Sequence, residues 1–190
     1  MERFGKEFQK RRASNAAALE AAFGIALDSS PNFSPTPRYR TIRQGSATTI
    51  FTIGYEKRDI DGLISLLHDA GIDLLADIRQ RPVSRVACFR EGPLSRYCEN
   101  AGIEYRNWPT LGSTDELRDK LKATGDFKRF EGRFRKHVAK VGRAALEELA
   151  AEAGKKSTAL LCYERLHEEC HRSAVAEMLA DILDAAIVAL

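Results

Sequence analysis

The chain has 190 residues, a length that suits one α/β domain with an extension. Its composition of 44% hydrophobic and 30% charged residues excludes collagenous, coiled-coil and wholly disordered chains, and a net charge of +3 does not by itself indicate a polyanion partner. Four cysteines without a CxxC pair indicate reduced thiols, and no segment approaches the roughly 20 apolar residues of a membrane span. We therefore expect a soluble, cytoplasmic protein without a membrane partner.

The first 47 residues differ in composition from the rest of the chain. Residues 1–48 hold eight basic and four acidic side chains and so carry the whole basic excess. Pro31, Pro35 and Pro37 interrupt regular structure before the first strand pattern. We expect residues 1–47 to form a basic, partly disordered extension and residues 48–190 to form a single α/β domain. A docking arm for nucleic acid or a partner protein is the alternative interpretation of the extension.

Short apolar runs alternate with amphipathic segments from residue 48 onward. The runs at 49–53, 73–78, 103–105 and 158–163 predict four strands. Helical spacing of apolar side chains predicts helices at 59–71, 93–100 and 132–153, and a last helix from about residue 171. This alternation is typical of right-handed βαβ crossovers. We expect a three-layer α/β domain with a mainly parallel four-stranded sheet and helices on both faces.

The predicted helix at 132–153 has two different sides. Its apolar stripe includes Phe134 and Val141 and is expected to face the core. Its other side predicts a solvated face, with a nucleic-acid footprint as the alternative. The side chains concerned are Arg133, Arg135, Lys136, Lys140 and Arg143.

Ionisable side chains gather at the carboxyl ends of the predicted strands, whereas the opposite ends have mainly turn glycines. Ligands of open parallel sheets bind beyond the carboxyl ends, so we expect these side chains to line one pocket. The candidate catalytic residues are Asp77, Glu164 and Cys170, and the candidate substrate-binding residues are Glu56, Arg79, Arg85, Cys162, His171 and Arg172.

Some of these candidates also have a purely structural interpretation. Asp77 and Arg79 point to the same side of their strand, so a buried structural pair explains them almost as well as a site does. Cys162, in an apolar strand, is also typical of a small buried hydrophobic residue. Cys170 and Arg172 stand at a helix start, where free N–H groups attract anions and lower a thiol pKa, which favours function. We expect Arg172 to lie at the pocket rim and to bury little surface.

Five short motifs follow one another along the chain. They are Thr52-Ile53-Gly54-Tyr55-Glu56, then Asp77-Ile78-Arg79 with Pro82 and Ser84-Arg85, then Leu111-Gly112, then Leu161-Cys162-Tyr163-Glu164, and finally Cys170-His171-Arg172. In this order they resemble the bacterial and archaeal domain-of-unknown-function family 488, whose second motif typically reads Asp-Val-Arg. The resemblance covers about residues 48–185. It implies the fold and the site, and it implies no particular reaction.

A weaker likeness is to the rhodanese and cysteine-phosphatase architecture, in which a strand ends in a cysteine and an arginine opens the next helix. The intervening loops of those proteins are shorter. Here nine residues separate Cys162 from Arg172, and only His171 separates Cys170 from Arg172. This difference argues against a sulfur-transfer or phosphatase reaction.

The sequence predicts an enzyme that acts on an anionic substrate, which is phosphate-bearing, nucleotide-like or a nucleic acid. Arginine forks would hold the anion, Asp77 or Glu164 would act as general acid or base, and Cys170 would be the nucleophile or an anion-loop residue. The alternative is a non-catalytic module that binds such a ligand or nucleic acid. A third hypothesis is a metal site of Cys162, Cys170 and His171, but their spacing matches no established zinc pattern, so no metal is predicted. Neither a cofactor nor an oligomeric state follows from the sequence.

Overall fold

A six-stranded mixed sheet lies at the centre of the computed structural model, which describes residues 40–45 and 48–190. The strands are β1 (Arg40–Arg43), β2 (Thr48–Gly54), β3 (Leu74–Asp77), β4 (Glu104–Asn107), β5 (Thr158–Cys162) and β6 (Ala185–Ala189). Their order across the sheet is β1-β6-β2-β5-β3-β4. Neighbouring strands from β6 to β4 are parallel, and β1 pairs with β6 in the antiparallel direction. The parallel strands therefore place their carboxyl ends at one edge.

The predicted α/β class is confirmed, but the sheet has six strands instead of four. The sequence does not predict β6, because Ala185–Ala189 continues the alanine-rich pattern of the preceding helix. Asp184 separates the two elements, since its φ of 49° lies in the left-handed region and ends the helix. Strand β1 lies within the predicted extension. Residues 44 and 45 of that extension are also described, whereas residues 1–39, 46 and 47 lie outside the described residues.

Six α-helices occur in the part of the chain that the structure describes. They are α1 (Ile60–Asp69), α2 (Glu91–Asn100), α3 (Asp115–Thr124), α4 (Phe127–His137), α5 (Arg143–Ala153) and α6 (Arg172–Leu183). Short 3₁₀ turns at Ala87–Phe89, Pro109–Leu111 and His167–Glu169 precede α2, α3 and α6. The sequence does not predict α3, which buries none of its residues. No helix among residues 40–45 and 48–190 is long and apolar enough to cross a membrane.

Helices cover both faces of the sheet, because successive strand residues point to opposite sides. On one face, Leu75 and Leu161 belong to a buried core with α1 and α2. On the other face, Leu74 and Leu160 belong to a second core with α4, α5 and α6. The domain thus has a helical layer on each side of its sheet.

A π-helical turn at Val138–Gly142 joins α4 to α5. Its extra residue rotates the helix, so that the buried stripe continues through Gly142 and Leu146 while Val141 is 54% exposed. The expectation that Val141 faces the core is therefore wrong. A Cβ atom on Gly142 would lie 2.9 Å from the carbonyl oxygen of Thr110, so the glycine allows this turn to pack closely against the segment after β4.

Candidate active site

A pocket of about 770 Å³ lies at the carboxyl edge of the sheet, between the segments that follow β2, β3 and β5. Its lining includes five of the nine candidate residues, namely Arg79, Arg85, Cys162, Glu164 and His171. The remaining four candidates are not part of the lining, and these are Glu56, Asp77, Cys170 and Arg172. The structure therefore separates side chains that face the pocket from side chains that support it.

Asp77 and Arg79 form a buried ion pair, of which only Arg79 is part of the pocket lining. The Arg79 guanidinium donates to both carboxylate oxygens of Asp77 at 2.5–3.1 Å, and the Tyr105 hydroxyl donates to the same carboxylate at 2.6 Å. Arg79 also donates to the Tyr55 hydroxyl at 3.1 Å and to the Phe89 carbonyl at 2.9 Å. Burial disfavours the charge of Arg79, but the Asp77 carboxylate raises the pKa of Arg79 above its ordinary value. Asp77 is fully buried and its oxygens are taken up, so the pair anchors the exit of β3.

Three reactive side chains meet at the floor of the pocket. The Cys162 thiol, at the end of β5, donates to Oε2 of Glu164 at 3.2 Å and lies 3.7 Å from Nδ1 of His171. The Nε2 atom of His171 lies 3.3 Å from the carbonyl oxygen of Ile78. Because a carbonyl oxygen only accepts, Nε2 carries the proton in the neutral ring and the lone pair is on Nδ1. Sγ of Cys162 is also 3.9 Å from Nε2, so the thiol stands beside the ring. Thiol, imidazole and carboxylate are groups that serve nucleophilic and acid–base chemistry.

The protonation of this group follows from burial and from its neighbours. Burial opposes the charge of Glu164, yet hydrogen bonds from the Cys170 and Cys162 thiols hold the pKa of Glu164 below its ordinary value. Burial likewise opposes a charged His171, yet Cys170 and Glu164 raise the pKa of His171. Glu164 is therefore a carboxylate at neutral pH, better suited to accept a proton or bind a cation than to act as an acid.

Cys170 lies behind the pocket floor and is 1% exposed. Burial raises the pKa of the Cys170 thiol well above its ordinary value, and the neighbouring Cys162 adds to the effect. The sequence-based expectation that the helix start lowers this pKa is therefore wrong, since the desolvation of the thiol outweighs the helix terminus. The backbone N–H of Arg172 lies 3.5 Å from Sγ of Cys170. Cys170 is not among the residues that line the pocket.

Arg172 is also 1% exposed, contrary to the expectation that it lies at the pocket rim. Its guanidinium donates to the carbonyl oxygens of Glu164 and Arg165, the latter at 2.9 Å. The loop after β5 turns these two carbonyls inward, and Arg172 supplies their hydrogen-bond donors. The spacing of residues in the sequence does not predict this arrangement. Its Nε atom has no hydrogen-bond partner among the described residues. Arg172 therefore holds the loop that carries Glu164.

Glu56 links the segments that follow β2 and β5. Its Oε2 atom accepts a hydrogen bond from the backbone N–H of Arg165 at 3.2 Å. Its own N–H donates to the carbonyl oxygen of Tyr163 at 2.9 Å. The half-buried Glu56 thus holds the two segments of the pocket floor together, although Glu56 itself does not line the pocket.

The family model for the domain of unknown function DUF488 matches residues 59–179 of this chain. The chain belongs to the DUF488 family. The match spans α1 to most of α6 and includes Asp77, Arg79, Cys162 and His171. Searches among curated proteins and among solved structures found no significant match. The DUF488 family model names no activity.

The pocket of this DUF488 domain has cationic side chains beyond those that the sequence analysis selected. They come from the segments after β2 and β3 and from α3, and they are Lys57, Arg58, Arg81 and Arg118. Arg58 donates to the carbonyl oxygens of Gly54 and Leu190, each at 2.9 Å. Burial lowers the pKa of Arg58, and the charges of Arg165 and Arg172 add to this effect. Lys57 and Arg58 follow a predicted strand exit directly, which is the signal that would have found them.

The basic side of α4 and α5 in the DUF488 domain has internal partners. Arg135 pairs with Glu131 at 2.8 Å, and Arg143 pairs with Glu147 at 2.9 Å. Both pairs span one helical turn, as is common on solvated helix faces. Arg133, Lys136 and Lys140 make no ion pair among the described residues, so both interpretations of this side stay predictions.

Proposed function

We propose that this DUF488 protein is an enzyme that acts on a phosphate-bearing, nucleotide-like substrate in the pocket at the carboxyl edge of its sheet. Cationic side chains outnumber carboxylates in the pocket lining. The cations are Lys57, Arg58, Arg79, Arg81, Arg85 and Arg118, and the carboxylates are Glu164 and Glu169. A cleft lined mainly by one sign of charge concentrates ligands of the opposite sign.

The observation that carries the proposal is the pairing state of these cations. Arg79 is neutralised by Asp77, and Arg81 and Arg118 both pair with Asp115. Lys57 and Arg85 make no ion pair with any residue in the described ranges. A phosphate group would supply the missing partner, and a guanidinium fork matches phosphate oxygens well.

The size and apolar parts of the pocket favour a nucleotide over a bare anion. A volume of about 770 Å³ lies within the range of small-molecule and cofactor sites. Tyr163 lines the pocket with its side chain half-exposed and its ring edge-on to Tyr55 at 5.4 Å. Val83 and Val86 line the pocket and are also exposed. A nucleobase could stack on the exposed Tyr163 ring while the phosphates of the same nucleotide contact the unpaired cations.

The reacting end of the proposed site is the group formed by Cys162, Glu164 and His171. These side chains line the same pocket as Lys57 and Arg85, so a bound phosphate ester would have the thiol, the carboxylate and the imidazole beside it. Asp77 and Arg172 take no part in the proposed chemistry, because their polar groups are engaged in holding the fold.

A turnover screen with a panel of nucleotides and phosphorylated metabolites tests the proposal on the full chain. We expect at least one compound to be converted, and we expect Cys162→Ser to lower kcat by about 100-fold or more, the scale seen when groups that contact reacting atoms are removed. Cys88→Ser is the matched control, because Cys88 is outside the pocket lining and should leave turnover unchanged. Tight binding of a compound without turnover would overturn the enzyme proposal in favour of a binding module.

A further inference from the structure

Four metal-ligating side chains converge at the floor of the pocket. One donor atom each from Cys162, Glu164, Cys170 and His171 lies within 4.8 Å of the other three. Sγ of Cys162 lies 3.2 Å from Oε2 of Glu164, and Nδ1 of His171 lies 3.7 Å from Sγ of Cys162 and 3.9 Å from Sγ of Cys170. Small shifts bring these atoms to the separations found around one tetrahedral ion: the imidazole moves closer to the sulfurs, and the Cys162 thiol and the carboxylate move slightly apart.

The orientation of His171 is an independent indication of a ligand. Its Nε2 atom faces the carbonyl oxygen of Ile78 at 3.3 Å, so the neutral ring has its lone pair on Nδ1. Histidines that bind metals almost always donate the other ring N–H to a carboxylate, a backbone carbonyl or water, which fixes the tautomer. Nδ1 lies within 4 Å of both cysteine sulfurs, but Sγ of Cys162 is also 3.9 Å from Nε2 and so stands beside the ring. Binding of an ion between Nδ1 and both sulfurs therefore requires the imidazole ring or the Cys162 side chain to rotate.

The backbone holds the donors in place before any ion binds. Cys162 ends a buried strand, and the N–H of Arg172, at the start of α6, lies 3.5 Å from Sγ of Cys170. The Arg172 guanidinium donates a hydrogen bond to the carbonyl oxygen of Glu164. The cluster is thus fixed by a strand end and a helix start, the rigid supports that a metal site needs.

We infer that Cys162, Cys170 and His171, together with Glu164, bind one zinc ion. Two sulfurs and an imidazole nitrogen suit zinc, while magnesium and calcium take oxygen ligands. Cys162, Glu164 and His171 also line the pocket, whereas Cys170 lies behind them. The carboxylate of Glu164 is therefore the ligand that gives way to a substrate oxygen, as in catalytic zinc sites with three fixed ligands. This last point rests on the proposed function, and metal binding itself does not.

A titration with cobalt(II), followed by competition with zinc(II), tests the inference on the reduced, chelator-treated full chain in the absence of substrate. We expect one cobalt ion per chain, a sulfur-to-cobalt charge-transfer band and the visible spectrum of tetrahedral coordination, all removed by one equivalent of zinc. Cys162→Ser should weaken zinc binding by more than the tenfold to about hundredfold loss typical of outer-shell partners. Cys88→Ser is the control and should bind zinc unchanged.

If Cys162→Ser does not fold, the spectrum of the unmodified protein still tests the inference, because the charge-transfer band requires thiolate ligands. Cobalt bound without that band, or zinc affinity unchanged in both Cys162→Ser and Glu164→Gln, would overturn the inference. A protein that binds neither cobalt nor zinc but does bind nucleotides would overturn the zinc site and leave the proposed function standing. A protein that binds zinc but no phosphate compound would overturn the proposed function and leave the zinc site standing.

Discussion

A Cβ atom on Gly54 would lie 1.8 Å from the carbonyl oxygen of Glu164. The backbone at the end of β2 therefore packs directly against the backbone of the loop after β5. This contact fixes the position of the pocket floor. The neighbouring hydrogen bond from Tyr55 N–H to the carbonyl of Cys162, at 3.3 Å, continues the same contact. Glycine is required at residue 54 because of space, since its φ is not in the positive range.

Gly54→Ala is expected to destabilise the fold by about 3 kcal/mol, the upper part of the usual range for overpacking, because the obstructing atom belongs to the backbone. Urea unfolding measures the change. Gly132→Ala is the matched control, since a Cβ at Gly132 would meet nothing within 4 Å and alanine favours the middle of α4. Equal stability of the two variants would show that the contact at Gly54 is easily relieved.

Asp77→Asn is expected to cost about 3–5 kcal/mol of unfolding free energy, because it leaves the buried Arg79 charge without its carboxylate. Tyr105→Phe removes one hydrogen bond to the same charged carboxylate and should cost about 2 kcal/mol. Chemical denaturation of both variants gives the comparison. An Asp77→Asn protein with normal stability but without turnover would assign Asp77 to catalysis instead of anchoring.

Arg172→Met is expected to lower stability by about 3 kcal/mol, since the carbonyls of Glu164 and Arg165 lose a charged donor. Arg165→Met serves as the control, because Arg165 is exposed and its side chain makes none of these contacts. Thermal unfolding followed by circular dichroism distinguishes the two. If Arg172→Met keeps its stability and loses only ligand affinity, the side chain acts in the pocket as the sequence analysis expected.

We expect the buried Cys98 thiol to lower the free energy of unfolding at alkaline pH. Burial raises the pKa of Cys98 to about 12, and the charge of Asp77 adds to this rise. The unfolded thiol ionises near pH 8.5, so between about pH 9 and 12 the folded chain keeps a proton that the unfolded chain has lost. Stability should therefore fall as pH rises, by up to about 1.4 kcal/mol per pH unit from this group.

Unfolding of Cys98→Ala over the same pH range isolates this contribution. The variant should be less stable at pH 7 but should show a shallower decline above pH 9. Cys88→Ser should keep the slope of the unmodified chain, because Cys88 is only partly buried. Parallel pH profiles for Cys98→Ala and the unmodified chain would contradict the raised pKa.

Strands β2, β3 and β5 are predictable because each is a short apolar or β-branched run near turn residues. Strand β4 is predicted only at its start, because Glu104–Asn107 is mostly polar. Strand β6 is not, because Ala185–Ala189 has the composition of the helix before it, and only the backbone of Asp184 marks the boundary. The grouping of Arg79, Cys162 and His171 at one edge follows from parallel topology alone. Which side chains face the pocket depends on the path of the loop after β5, whose inward carbonyls bury Arg172.

The central claim is that unpaired cations of this pocket bind a phosphate group. Titration calorimetry of the full chain with inorganic phosphate and a series of nucleoside phosphates, at low and at physiological salt, measures it most directly. We predict that a nucleoside phosphate binds, that added salt weakens it, and that Arg85→Ala and Lys57→Ala each lower affinity about tenfold, equivalent to about 1.4 kcal/mol. Lys155→Ala, an exposed lysine beside the opposite end of β5, should bind as the unmodified chain does. Affinities that are the same in Arg85→Ala, Lys57→Ala and the unmodified chain, or an absence of binding to all of these compounds, would contradict the claim.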